Sequence, residues 1–78
     1  MGVADELADK LAKDAIEAAE TLGDDLLIDQ IAKSLGDSST TTQEAFLTSI
    51  RVRQAERRAR RFLNAKIEAA LKSQSGDD

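Results

Sequence analysis

Arginine is the residue type whose number and spacing in this sequence most directly indicate a binding surface. Six arginines occur within the eleven residues RVRQAERRARR: Arg51, Arg53, Arg57, Arg58, Arg60 and Arg61. Guanidinium groups make forked hydrogen bonds to phosphates and carboxylates. On a helix four of the six face one direction and the other two lie at its edge. This set predicts binding to a nucleic acid or to an acidic partner. It also fits a solvated face, or a counterpart to acidic residues of the same chain.

The charge is distributed unevenly along the 78 residues. The whole chain carries a net charge of −4, with ten acids and three lysines in residues 1–37 but eight bases and five acids in residues 38–78. Such asymmetry fits a basic nucleic-acid surface beside an acidic body. It also fits two halves that pack against each other, and we favour this second interpretation because the chain as a whole is acidic.

The composition argues against enzymatic chemistry. Histidine and cysteine are both absent, so a Cys/His zinc site and the usual activated nucleophiles are excluded. The paired acids Asp24–Asp25 and Asp77–Asp78 fit a helix N-terminus and a tail. No Gly-rich phosphate loop, calcium loop or Ser–Lys motif is visible. We therefore predict a protein that is not an enzyme and has no cofactor, metal or small-molecule substrate.

The hydropathy pattern indicates a soluble, cytoplasmic protein. No apolar run approaches the roughly 20 residues of a membrane span. Residues 1–22 carry acids throughout, which is unlike a secretory signal. We expect no membrane association.

An all-α fold must position the arginines. Proline is absent, alanine is abundant and only two aromatic residues occur, which favours helices over sheets. The pattern predicts three helices at about 3–21, 25–35 and 41–73, forming a single domain over residues 1–73, with a disordered acidic tail at 74–78. Gly23 and Gly36 are expected to end the first two helices. Asp24 is the predicted N-cap of the second helix.

The start of the third helix lies in the stretch LGDSSTTTQEAF. Thr41 and Glu44 have the spacing of a capping box, in which each side chain bonds the other residue's backbone N–H. This predicts that the third helix begins at Thr41.

The first two helices show amphipathic patterns. One face of the first helix is predicted to form core: Val3, Leu7, Leu11, Ala15, Ala18 and Leu22. Ile16 falls toward the acidic side, so we expect it to be exposed or to touch a partner chain. Leu27, Ile28, Ile31 and Leu35 form the predicted apolar face of the second helix.

The apolar stripe of the third helix changes face near residues 50–52. Phe46, Leu47 and Ile50 point one way, and a second set points to nearly the opposite side. No Pro or Gly lies nearby to cause a kink, so we predict two packing surfaces. The first is the body made by helices one and two, and the second is partly that body and partly another copy of the chain. The candidate dimer contacts are Val52, Ala55, Ala59, Phe62, Leu63 and Ile67. The first four have a coiled-coil 3-4-3 spacing, although Lys66 occupies the next such position.

The segment QIAKSLGDSSTTTQEAFLTSI, residues 30–50, resembles helix-turn-helix DNA-binding segments, particularly those of GntR-like regulators. The match consists of Ile31, Ala32, Leu35 and Gly36, followed by Ser38, Thr40, Thr41, Glu44 and Ala45. Asp37 and Thr42 depart from it, since apolar anchors usually occupy those positions. The resemblance implies that Thr40, Thr41, Gln43 and Arg51 face the major groove while the other arginines contact phosphates.

These observations predict a small non-enzymatic protein–protein interaction or regulatory module that acts through its helix faces as a homodimer. The dimer is expected because the chain is short, has no disulfide and switches its apolar stripe. The alternative is a helix-turn-helix DNA-binding regulator of phage or plasmid type. A third hypothesis is that α-helical RVRQAERRARR binds RNA, since this arginine-rich stretch is similar to phage antiterminator peptides.

Overall fold

Three helices account for nearly all of the residues that the structure, a computed structural model, describes. It describes residues 2–75, apart from the side chain of Ser75. The helices are α1 (Val3–Leu22), α2 (Leu27–Ser38) and α3 (Thr40–Ser75), with no strand between residues 2 and 75. This confirms the all-α three-helix prediction. Because α3 reaches Ser75, residues 74 and 75 are helical, and the rest of the predicted tail, residues 76–78, lies outside the described residues.

At the corner between α1 and α2 the prediction for Gly23 is confirmed, whereas the prediction of Asp24 as N-cap is wrong, because the N-cap of α2 is Leu26. Gly23 has φ 63° and ψ 33°, the left-handed conformation that glycine adopts without a side-chain clash. The next residue, Asp24, accepts a hydrogen bond from the backbone N–H of Leu26 through Oδ1 at 3.0 Å. Asp24 therefore satisfies a free amide ahead of α2, although the helix itself begins at Leu27, two residues later than predicted.

Gly36 does not end α2, so the prediction that it stops the helix is wrong. Among residues 2–75 the only glycine with positive φ is Gly23, and Gly36 lies within α2. Its lack of a side chain serves close packing instead. A Cβ at this position would lie 2.7 Å from Nε2 of Gln43. That nitrogen donates a 2.9 Å hydrogen bond to the carbonyl oxygen of Ala32, which ties α3 to α2.

The N-cap of α3 is Ser39. Its Oγ accepts a hydrogen bond from the backbone N–H of Thr42 at 3.1 Å and donates one to Thr42 Oγ1 at 3.0 Å. Thr41 and Glu44 are exposed and α3 already begins at Thr40, so the predicted capping box is wrong. Any of several hydroxyls in SSTTT can cap a helix, and the packing of α3 against α2 selects the earlier one.

Small side chains of α1 dominate the core. The buried residues are Ala8, Ala12, Ala15, Ile16, Ala32, Phe46 and Ile50. Half-buried residues surround them: Leu11, Ile28, Ile31, Leu35, Ala45 and Leu47. The predicted face of α2 is therefore confirmed for Ile28, Ile31 and Leu35, whereas Leu27 is half-buried outside this cluster. The alanines let the helix backbones approach closely, and Phe46 fills the space between them.

The buried face of α1 is rotated from the predicted one. Val3 is 72% exposed and Leu22 69%, whereas Ile16, predicted to be exposed, is only 6% exposed. The apolar residues of α1 cover an arc of about 220°, which is wider than its neighbours can cover. The packing partners lie over the edge with the alanines and Ile16, because small side chains permit the closest approach there.

The molecule is elongated. Its extents are 62 × 30 × 13 Å and its radius of gyration is 17.4 Å, against about 11–12 Å for a compact chain of this length. The length comes from α3, whose 36 residues span about 54 Å. Every residue from 58 to 74 is exposed. We refer to residues 58–75 as the arm and to residues 2–57 as the body.

Candidate interaction surface on the third helix

The exposed face of α3 carries more large apolar side chains than are buried among the described residues. Exposed apolar side chains on α3 include Val52 (62%), Phe62 (67%), Leu63 (51%) and Ile67 (47%). The fully buried side chains larger than alanine are Ile16, Phe46 and Ile50. Apolar surface of this kind, concentrated on one element, is typical of an interaction site.

All six predicted dimer-contact residues lie on this face. At about 100° per residue they fall within an arc of about 140°, and all six are exposed: Val52, Ala55, Ala59, Phe62, Leu63 and Ile67. The change of face occurs within a continuous helix, since α3 is unbroken from Thr40 to Ser75. Phe46 and Ile50 pack on α1 and α2, and the second stripe faces solvent.

Two of the six arginines join α3 to the acidic helix α1. Arg53 forms a forked pair with Asp9, with Nε 2.9 Å from Oδ1 and Nη2 2.8 Å from Oδ2. Arg57 Nη1 contacts Glu20 Oε2 at 2.5 Å. The interpretation of the arginines as a counterpart to the acidic face is therefore correct for these two.

The forked pair alters the ionisation of both partners. The hydrogen bonds from Arg53 lower the pKa of Asp9 below its ordinary value of 3.8, and they outweigh the opposing effect of partial burial. The Asp9 carboxylate in turn raises the pKa of Arg53. Both side chains remain partly exposed, so solvent screens the pair and its contribution to stability is small.

The remaining arginines divide into two groups. Arg60 pairs with Glu56 one turn earlier on the same helix, with Nη2 2.8 Å from Oε2, and this carboxylate raises the pKa of Arg60. Arg51, Arg58 and Arg61 are exposed, and within residues 2–75 no ion pair is found for them. They lie within an arc of about 80° beside the apolar stripe, and we call these three residues the basic ridge.

The arm and the body carry net charges of opposite sign. Residues 2–57 contain twelve acidic and six basic residues, a net charge of −6, and residues 58–75 contain five basic residues and one acidic residue, a net charge of +4. Lys66 Nζ also lies 5.8 Å from the centre of the Phe62 ring, within range of a weak cation–π contact. The arm is therefore a basic helix with an apolar face.

The residues implied by the helix-turn-helix resemblance occupy different environments. Thr40 and Thr41 are exposed at the start of α3. Gln43 is half-buried, and its amide is engaged with Ala32. Apolar anchors are usual at two further positions of such segments. Here Asp37 is exposed, and Thr42 accepts a hydrogen bond from the N-cap residue Ser39.

The grooves of the body are open and shallow. One of about 400 Å³ lies between the N-terminal part of α1 and the first half of α3, and it is lined by Asp5, Glu6, Asp9, Ala45, Thr48 and Ser49. No cluster of acidic side chains suited to a metal ion is found within residues 2–75. None of the helices in that range has an apolar stretch that could cross a membrane.

Comparison of the chain with models of protein families, with curated proteins and with solved structures gave no match.

Proposed function

We propose that this chain is a small non-enzymatic interaction or regulatory module of the cytoplasm that works as a homodimer through the exposed face of α3. One observation carries the proposal: α3 continues for 18 residues beyond the body with its apolar face exposed to solvent. In proteins most helical stability comes from packing of an apolar face and not from helix propensity, and this part of α3 has no such packing within the described chain. Burying one such apolar side chain stabilises an assembly by about 1.5–3 kcal/mol, and each copy contributes several.

Sedimentation equilibrium tests this proposal. Between micromolar and millimolar concentration we expect a reversible change from 8.4 kDa to twice that mass. A strict monomer over the whole range would refute the dimer.

A matched pair of variants locates the contact. Leu63→Asp places a charge on the arm face, and Leu22→Asp places the same charge at an exposed position of α1. The first is expected to weaken the dimer at least tenfold because a carboxylate would be buried. The second is expected to leave the dissociation constant within about twofold. Equal effects from both would refute the assignment to α3.

The alternative function is that of a helix-turn-helix DNA-binding regulator. Its support is that Thr40, at the start of α3, points in the same direction as Arg51 and Arg58 of the basic ridge, and that all three side chains are exposed. Binding of this chain to duplex DNA and to RNA at two salt concentrations tests it, because phosphate contacts lose affinity steeply with salt. Absence of binding to either at low salt would refute both nucleic-acid functions. Reversing the charges of Arg58 and Arg61 should abolish any binding without unfolding the body.

A further inference from the structure

The exposed face of α3 is continuous along the whole helix, but the size of its side chains differs between the two halves. In the body half it carries small side chains, including Ala45 and Thr48, and in the arm it carries Leu63 and Ile67. Val52, near the middle, points in the same direction as both sets. One half of the helix therefore offers a shallow surface, and the other half offers large side chains that could fill it.

The body half of this face forms the floor of the groove beside α1. Ala45, Thr48 and Ser49 line the floor, and α1 contributes carboxylates to the wall, including Asp5 and Glu6. A groove with a floor of small residues and an acidic wall fits an amphipathic helix that has large apolar side chains and basic flanks. The arm has this chemistry, with its net charge of +4 against −6 for the body.

The lengths of the two halves match. The body half of α3 covers residues 40–57 and the arm residues 58–75, so each has 18 residues. A two-fold axis near residues 57 and 58 would place the arm of each copy along the body half of the other. Ala45 would then lie opposite Ala70, Thr48 opposite Ile67, and Val52 opposite Leu63.

We infer that the proposed homodimer is antiparallel, with the arm of each copy seated in the α1–α3 groove of the other. This inference rests on the proposed homodimer and names the surface that the arm contacts. The arrangement is isologous and closes after two copies. A parallel dimer would instead align two arms of net charge +4 and leave both acidic grooves open. In the antiparallel dimer Lys66 of each arm lies near the acidic groove wall of the other copy, while Arg58, Arg60 and Arg61 lie near the two-fold axis.

Disulfide trapping tests the orientation, because the chain has no cysteine of its own. Ala45→Cys and Ala70→Cys variants are mixed in equal amounts in a glutathione redox buffer, and the three disulfide products are quantified. Random pairing gives about half mixed product. The antiparallel dimer predicts a mixed product above about 90%, since a disulfide requires Cα atoms within about 7 Å.

The other outcomes separate the orientation from the dimer itself. A product dominated by self-linked Ala70→Cys chains, from a sample that sediments as a dimer, would overturn the antiparallel arrangement and leave the homodimer standing. Random pairing from a sample that sediments as a monomer would overturn both.

Charge reversal tests the groove independently of cysteine chemistry. Asp5→Lys with Glu6→Lys changes the groove wall, and Asp29→Lys with Asp37→Lys makes the same charge change at exposed positions of α2 that do not line the groove. We expect the first pair to raise the dissociation constant of the dimer on the order of tenfold more than the second, with the difference shrinking at high salt. Equal effects of the two pairs would overturn the groove assignment. Circular dichroism of both variants at low concentration controls for loss of folding.

Discussion

Substituting Gly36 tests how closely α2 and α3 approach at their shared corner. Gly36 has helical backbone within α2, so alanine there would stabilise the helix by about 0.5–1 kcal/mol on propensity alone. Its Cβ, however, would lie 2.7 Å from Nε2 and 2.8 Å from Cδ of Gln43. The Gln43 side chain must then move and lose its hydrogen bond to Ala32, which contributes about 0.5–1.5 kcal/mol. The two effects nearly cancel, so we expect Gly36→Ala to stay within about 0.5 kcal/mol of the original chain.

Without the Gln43 side chain, Gly36→Ala should raise the free energy of unfolding. Gln43→Ala alone is expected to destabilise the protein by about 0.5–1.5 kcal/mol, since it removes the same hydrogen bond. In that background Gly36→Ala has no amide to displace and should stabilise by about 0.5–1 kcal/mol. The double-mutant cycle is therefore expected to give a coupling energy of about 1 kcal/mol.

Urea denaturation followed by far-UV circular dichroism measures all four proteins of the cycle. They are compared at one protein concentration, because association changes apparent stability. Gly23→Ala serves as the control: nothing lies within 4 Å of a Cβ there, but φ is +63°. Alanine at Gly23 should destabilise by about 1–2 kcal/mol, whether or not Gln43 is present. Equal stabilisation by Gly36→Ala in both backgrounds would refute the reasoning, because it would mean that Gln43 moves without loss.

Three further substitutions follow from the packing, the cap and the ion pair. Phe46→Ala should destabilise the fold by about 3–5 kcal/mol in chemical denaturation, because Phe46 is the largest fully buried side chain among the described residues; a loss below about 1 kcal/mol would contradict that burial. Ser39→Ala should lower the unfolding free energy by about 1 kcal/mol and Thr41→Ala by less than about 0.5 kcal/mol, and the reverse order would restore Thr41 as the cap. The pKa of Asp9 is lowered in the folded state, so its stabilising effect is complete above the ordinary value of 3.8 and is lost as the pH falls below it toward the lowered value. Urea unfolding at about pH 5 and about pH 2.5 should therefore show a steeper loss of stability for the original chain than for Asp9→Asn, and parallel pH curves would argue against the pairing.

Neighbouring residues were sufficient to predict a helix end where the end depends only on those residues. Gly23 ends α1 because a left-handed residue closes the helix C-terminus, and glycine adopts that conformation without a side-chain clash. The same reasoning failed at Gly36. A glycine can mark a helix end or a close approach, and the residue that approaches, Gln43, lies on the following helix. Nothing within α2 distinguishes the two cases.

The candidate surface on α3 could be read largely from the sequence, whereas the roles of the individual arginines could not. The opposite faces of Phe46 and Val52 follow from helical periodicity, so the residues of the second stripe were identified in advance. The arginines looked alike because they share one helix. Arg53, Arg57 and Arg61 face the same way by periodicity, and the first two are distinguished only by carboxylates on α1, which lie 44 and 37 residues away in the chain.

The three helices, the turn at Gly23 and the two faces of α3 follow from spacing within a few residues or a single helix, so the sequence was sufficient to predict them. The buried edge of α1 depends on contacts between helices, so it became known from the folded chain. Val3 and Ile16 lie at opposite edges of one apolar arc of about 220°, and periodicity alone does not show which part of so wide an arc a neighbour covers. The alanines permit close approach on one edge, and Arg53 of α3 pairs with Asp9 on the same edge. Ile16 is therefore buried and Val3 faces solvent.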